Sequence, residues 1–288
     1  MNRNAHPAVS FLYFAAAIGF SMFLLNPICL SAGFAAGFSY SVRLGGRKAL
    51  KFNLAAVVPI MIAAAVINPL FNHAGVTILG YFPNGNPLTL ESVLYGAAAA
   101  VSIANVILFF SCFNKVMTSD KLMCIFGGLA PSLSLIFSMS LRLVPRFKEQ
   151  AKEIAAAQKG LSGQQKGKVK TGINIMSALL QTAAENAAET AESMKARGFG
   201  TEKRTAFSNF VFTKKDAVQA MLIFFSAAYV IFGALSKELS FVYFPSIVGR
   251  ELSAFGISVY AAYTFLLFLP LIILIGEECK WKKLKSNI

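Results

Sequence analysis

Two short strings hold the residues best placed to do chemistry: Ala157-Gln158-Lys159-Gly160 and Lys195-Ala196-Arg197-Gly198. Each closes a helix-forming stretch with a cation followed by glycine, and the two glycines stand 38 positions apart. One reading is helix termination, because a cation in the last turn complements the helix dipole and glycine supplies the left-handed cap. The other is recognition, in which two equivalent basic tips grip a two-sided partner such as a pair of similar subunits. Arginine offers a planar fork of donors, whereas lysine offers a mobile point charge. Gln158, Lys159, Gly160, Ala196, Arg197 and Gly198 are therefore the candidate partner-binding residues.

Catalytic patterns are missing around them. The strings beginning at Gly163 and Gly200 lack the G-x4-G-K-[ST] arrangement that cradles phosphate, so ATP hydrolysis is not expected of this chain. Cys29, Cys112, Cys124 and Cys279 are isolated in or beside apolar runs, which supports neither a metal site nor a disulfide framework. No cofactor or metal is expected. Glu185, Glu189 and Glu192 form the one acidic cluster and read as a solvated stripe pairing with Lys and Arg. His73, with no Cys, His or carboxylate beside it, reads as a turn residue of the loop from Asn68.

The elements that must position the tips are membrane helices. The chain is 56% hydrophobic and 14% charged, with a mean hydropathy of +0.61, which excludes an ordinary soluble domain. Uncharged runs read as six spans: Phe11–Leu25, Pro27–Val42, Leu54–Ile67, Ser92–Asn114, Ala217–Ser236 and Ala254–Gly276. The first two, separated by Asn26-Pro27, read as a tight helical hairpin, and His6-Pro7 starts the first. A cleaved signal peptide is not expected.

Charge orients these spans. Residues 142–215 hold 14 of the 27 Lys and Arg. With Arg3 inside, the loop 43–51, Lys115, Lys121, the insert and the tail Lys280–Lys285 are all inside, which puts 25 of 27 basic residues on the cytoplasmic face. This holds only if the seventh apolar run, Leu122–Leu141, does not cross; Gly127-Gly128 and Pro131 interrupt it. The net charge of +14 follows from this rule, and no nucleic-acid partner is expected. The expected fold is thus an all-α integral membrane protein with about six transmembrane helices, a non-spanning apolar segment and two long cytoplasmic helices. The chain divides into three regions: 1–121 with four spans, 122–214 with the apolar segment and cytoplasmic helices, and 215–288 with a two-span hairpin and basic tail.

Within the insert, Arg146 to Lys159 reads as a helix stopped at Gly160, with Phe147, Ala151, Ile154 and Ala155 on one face. A Gly/Ser/Gln/Lys-rich connector runs from Leu161 to Gly172. A second helix runs from about Ile173 to Arg197, and Ala178, Ala183, Ala184, Ala187, Ala188 and Ala191 suit a close helix crossing.

Ala196-Arg197-Gly198 after this Ala/Glu-rich helix, Gln158-Lys159-Gly160 before it, and Leu141-Arg142-Leu143-Val144-Pro145 resemble the transmembrane coupling (T) component of energy-coupling-factor ABC transporters, the EcfT/CbiQ family. The resemblance covers most of the chain. It implies that each tip docks on one of two cytoplasmic P-loop ATPases. ATP-driven closure of those subunits would be transmitted to a membrane-embedded substrate-binding (S) protein that carries a vitamin or transition-metal ion inward. Arg197 matches the family pattern unaltered, whereas Gln158-Lys159-Gly160 departs from Ala-Arg-Gly and loses the guanidinium fork. The implied location is a bacterial or archaeal cell membrane, multi-pass, with both termini cytoplasmic and the spans in contact with membrane lipid. Two other readings stand beside it: a membrane enzyme acting on a lipid or isoprenoid pyrophosphate, and a structural protein whose insert adheres to anionic lipid.

Overall fold

The computed structural model describes residues 6–81, 86–129, 131–161, 168–200, 210–249 and 253–286. Outside them lie Arg250-Glu251, Asn84-Gly85 and most of the two Gly-rich strings weighed above as phosphate cradles. Two compact units emerge: Met1–Lys121 with Phe210–Ile288, and Leu122–Asn209.

The first unit is built from apolar helices whose starts are written in the sequence. Pro7 opens α1 (Pro7–Phe23), and His6 Nδ1 accepts the N–H of Ala8 at 3.3 Å. Asn26 Oδ1 does the same for Ile28 at 3.1 Å, and Pro27 opens α2 (Pro27–Phe52). Proline suits the first turn because its missing N–H would lack a partner there anyway. The segment 43–51, expected as a loop, is helical except at Gly46, where φ 55° and ψ −141° break the path. Beyond it a π-helical turn (Asn53–Val57) leads into α3 (Val58–Phe71). The chain reverses at this break. Asn53 Nδ2 donates to Ser41 Oγ at 3.3 Å, although a straight helix would separate the two by about 18 Å.

A two-stranded ribbon, β1 (Ile78–Tyr81) and β2 (Pro87–Thr89), precedes α4 (Leu90–Val116). After α5 (Ser119–Leu129) come α6 (Pro131–Leu161) and α7 (Lys168–Ala196) of the second unit. The chain returns to the first unit with α8 (Lys214–Leu235), β3 (Phe241–Val242), β4 (Val248–Gly249) and α9 (Ala254–Ser286). Thr213 and Asp216 cap α8 reciprocally, with Asp216 N–H donating to Thr213 Oγ1 and Thr213 N–H to Asp216 Oδ2.

Helix contacts run from α1 to α4, α2, α9, α8 and back to α1, closing a cycle, with α3 and the ribbon packed on α4. The expected hairpin of the first two helices is therefore a sharp turn whose arms barely touch; each arm packs on α4 instead. Small residues allow this. A Cβ on Gly33 would meet Asn105 Nδ2 at 2.8 Å, and one on Gly96 would meet the carbonyl oxygen of Ala65 at 2.8 Å. Polar side chains stitch the same crossings: Asn105 Nδ2 donates to Leu30 O at 3.0 Å, Ser102 Oγ to Ser21 O at 2.8 Å and Tyr13 OH to Leu267 O at 2.9 Å. Tyr13, Phe14, Tyr40, Phe109, Tyr263 and Leu266 fill the core.

The outside of this unit is greasier than its inside can account for. Only 11% of the apolar window in Pro27–Phe71 and 17% of that in Lys214–Leu235 is buried, and Phe71, Phe224, Phe225 and Phe232 face outward. Such a surface needs a bilayer around it. The protein is an all-α membrane protein. Among the described residues four helical runs are long and apolar enough to cross: Pro27–Phe71, Leu90–Val116, Lys214–Leu235 and Ala254–Lys285; α1 is a shorter apolar helix. The 45-residue run contains the break at Gly46, so it consists of two apolar pieces. The 11 residues of α5 reach about 16 Å, too short to cross a core of about 30 Å.

Polar contacts sort the helix ends into two sets. At one end the N–H of His6 donates to Asp216 Oδ1 at 3.2 Å, Arg43 pairs with Glu278 at 3.2 Å, and Lys115 Nζ lies against Gly45. At the other, Tyr243 OH donates to Leu25 O at 2.8 Å, and Asn26 Nδ2 donates to Tyr260 OH at 2.7 Å. α1, α2 and α9 each run from one set to the other.

Candidate functional site

The second unit presents the two sequence-marked tips on long helices. α6 packs against α7. On α6, Leu143, Phe147, Gln150, Ala151, Ile154, Ala155 and Gln158 are partly buried while their neighbours are exposed; on α7 the same spacing recurs at Thr171, Ile175, Ala178, Leu179, Thr182, Ala183 and Asn186. These are i, i+4, i+7, i+8 faces, the period at which two helices can pack side by side. Phe147, Ala151, Ile154 and Ala155 share their face as the sequence spacing predicts.

Three expectations need correction. α6 does not begin after Pro145: it runs unbroken from Pro131 with Pro145 inside, at the cost of the one backbone hydrogen bond the ring removes. α7 begins at Lys168, so part of the expected connector is helical. Among the alanines expected at a close crossing, Ala178 and Ala183 are partly buried, but Ala184, Ala187, Ala188 and Ala191 are exposed. After Asn186 only Met194 is partly buried, and the other residues of the last turns of α7 are exposed.

The two tips differ in local geometry. At the end of α7, Arg197 N–H donates to Ser193 O at 3.2 Å, Gly198 N–H to Lys195 O at 3.0 Å, and Phe199 N–H to Met194 O at 3.0 Å. With Gly198 at φ 81°, this is the full Schellman pattern: Arg197 at the cap, Gly198 in the left-handed position and Phe199 after it. The left-handed region costs an L side chain about 1–2 kcal/mol, which is why glycine stands there. Ala196 and Arg197 are exposed, and among the described residues the guanidinium has no ion pair or hydrogen bond.

At the other tip the helix does not stop at Gly160. Gly160 is helical, Leu161 extends the helix, and a Cβ at 160 would meet nothing within 4 Å. Lys159 is exposed and Gln158 partly buried on the stripe that carries Ile154 and Ala155. The cation–glycine string thus makes a fixed turn at 198 and ordinary helix at 160. Glu185, Glu189 and Glu192 are all exposed.

Charged groups that sequence reasoning passed over sit in the first unit. Glu91 is 2% exposed and its carboxylate accepts the N–H of Thr77 at 3.2 Å, pinning the ribbon to the start of α4. Asp216 ties the starts of α8 and α1 together, and the Thr213-x-x-Asp216 capping pattern before an apolar run was its available signal. Lys121 is 4% exposed, its amine has no hydrogen-bond partner among the described residues, and burial holds its pKa below the usual lysine value. His73 Nε2 pairs with Asn86 Nδ2 at 3.1 Å within its own loop.

An apolar groove of about 470 Å³ lies between α2, α3, α4 and the β3 loop, lined by Leu30, Phe34, Met61, Ala98 and Phe241 among others. Its hydroxyls are already committed: Ser31 Oγ donates to Ile28 O at 2.9 Å and Tyr243 OH to Leu25 O at 2.8 Å. No acid, base or amine lines it. Among the described residues there is no His/Cys/Asp/Glu group able to hold a metal ion.

Over 109 residues the chain is 37% identical to the energy-coupling factor transporter transmembrane protein EcfT of Bacillus subtilis (strain 168). The matched stretch is 33% of this chain and 41% of that protein, so the similarity spans about two fifths of the relative's length. No protein-family model matches the chain.

Proposed function

We propose that this chain is the transmembrane coupling subunit of an energy-coupling-factor type ABC importer. The observation that carries the reading is Arg197, exposed and held by a complete cap at the end of a 29-residue helix, in a chain similar to EcfT over 109 residues. The guanidinium at this tip docks in a groove of a cytoplasmic P-loop ATPase, and the Lys159 tip of α6 meets a second ATPase. ATP binding draws the ATPases together, and α6 and α7 carry that movement as rigid rods to a membrane-embedded substrate-binding protein. The chain itself is non-catalytic, a reading supported by its similarity to EcfT.

The six apolar helix pieces cross as six spans, four in region 1–121 and two in region 215–288, while region 122–214 carries the non-spanning apolar segment and the two coupling helices. The end that carries Arg43, Lys115 and Glu278 faces the cytoplasm with both termini, because the Lys- and Arg-rich segments join it. The setting is a bacterial or archaeal cell membrane, and the cargo a vitamin or transition-metal ion chosen by the partner protein. The test is complex yield. Arg197→Ala and Arg197→Glu abolish recovery of the ATPases with the tagged chain, while loss of Lys166, Lys168 or Lys170 leaves it unchanged. A normal yield with Arg197→Glu refutes the reading, and dependence on total charge instead favours simple adhesion to anionic lipid.

A further inference from the structure

We infer that Phe199 is a second anchor of the α7 tip, an aromatic side chain that enters the ATPase groove beside Arg197; the inference rests on the coupling reading above. Phe199 is 53% exposed. No other large apolar side chain is exposed between Leu180 and Phe199, where the surface is alanine, glutamate, glutamine, threonine and serine with the cations Lys195 and Arg197. Covering this ring with an apolar groove would remove its surface from water and favour docking.

The backbone holds it in place. Its own N–H is bonded to Met194 O at 3.0 Å, and it stands between Gly198 at φ 81° and Gly200 at φ 97°. Both glycines adopt the left-handed region, so the chain turns immediately before and after the phenylalanine. Arg197 and Phe199 are thereby set two residues apart on one preformed turn, and little conformational entropy remains to be lost on docking. Arginine and aromatic residues are the side chains that most often dominate interface energetics.

The charge around the turn selects a protein groove over a lipid surface. Glu185, Glu189 and Glu192 precede Lys195 and Arg197 along the last turns of α7, so this helix end is of mixed charge rather than a basic strip. An anionic bilayer gains little from such a tip, whereas a groove with an acidic point for Arg197 and an apolar floor for the ring fits it. The α6 tip is built differently: Lys159 lies in continuous helix with Gly160 helical after it, so no left-handed turn presents the residue that follows. The two docking contacts are unequal in kind, and α7 makes the stronger one.

The experiment uses the full chain in nanodiscs and the P-loop ATPases that co-purify with it from native membranes, with affinity measured by interferometry. Phe199→Ala weakens ATPase binding about thirty-fold or more, the size expected when an aromatic hot spot is truncated. Phe199→Tyr restores it, and hydrogen exchange across 185–196 is unchanged in both variants. If Arg197→Ala weakens binding and Phe199→Ala stays within about twofold, the coupling reading stands and this inference falls. If Phe199→Ala speeds exchange across 185–196 and Phe199→Leu restores both exchange and binding, the side chain acts only through the cap, which also overturns it. An effect present in phosphatidylglycerol nanodiscs and absent in zwitterionic ones assigns the ring to lipid and overturns it as well. Indifference of binding to both Arg197→Ala and Phe199→Ala removes the coupling reading itself.

Discussion

Replacing each tip glycine by alanine should have opposite consequences at the two ends. At Gly198, φ 81° forces an added side chain into the left-handed region, at about 1–2 kcal/mol. If the cap opens to escape that strain, the bonds from Gly198 N–H to Lys195 O and Phe199 N–H to Met194 O are lost, each worth roughly 1 kcal/mol. The smaller of the two costs applies, so Gly198→Ala raises the open population of the last turn by about ten-fold or somewhat more. At Gly160 the backbone is helical and a Cβ meets nothing within 4 Å. There alanine removes the entropic cost of glycine, a gain of up to about 1 kcal/mol in a helix interior and less near an end. Hydrogen exchange with mass spectrometry on the chain in nanodiscs reads both ends at once. Gly198→Ala speeds exchange across 194–199, and Gly160→Ala slows it or leaves it unchanged across 154–161. A change of the same sign at both sites refutes the claim that the two tips are built differently.

Other predictions concern the first unit. Gly96→Ala places a methyl group 2.8 Å from the Ala65 carbonyl oxygen, so α3 and α4 must separate. The cost is about 1–3 kcal/mol, seen as a lower melting temperature in detergent, whereas Gly19→Ala, with open space around it, is neutral. Lys121 has a folded-state pKa below 10.5, so between that lowered value and 10.5 the unfolded chain binds more protons. Stability therefore rises with pH through this alkaline window, and Lys121→Met removes that rise in a melting series taken at stepped pH. Asn26→Ala removes both the cap on Ile28 and the bond to Tyr260, and lowers the melting temperature by an amount matching roughly 1–2 kcal/mol.

The membrane class was legible because apolar runs with charge confined between them suit a bilayer and little else. Helix starts at His6-Pro7 and Asn26-Pro27 were legible because proline and a capping side chain act within one turn. The end of α7 was legible for the same local reason. The end of α6 was not: Lys159-Gly160 looks like Arg197-Gly198, but a left-handed cap also needs the glycine to leave the helical path and the next N–H to reach the carbonyl five residues back, as Phe199 does to Met194, whereas Gly160 and Leu161 are still helical. Pro145 misled in a similar way, since one lost hydrogen bond is not enough to break a 31-residue helix. The cycle of contacts through α4, the outward-facing alanines of α7 and the burial of Glu91 and Lys121 arise from long-range packing. Spacing along the chain carries no signal for them.

The coupling reading is tested most directly by the proteins that accompany the chain from its own membranes. A mild-detergent pull-down of the tagged protein, with mass spectrometry and stoichiometry, should recover two P-loop ATPase chains, or one at double dose, together with a small hydrophobic membrane protein. Arg197→Glu should lose the ATPases. Recovery of the intact chain alone, under conditions that preserve other ABC complexes, would contradict the coupling role.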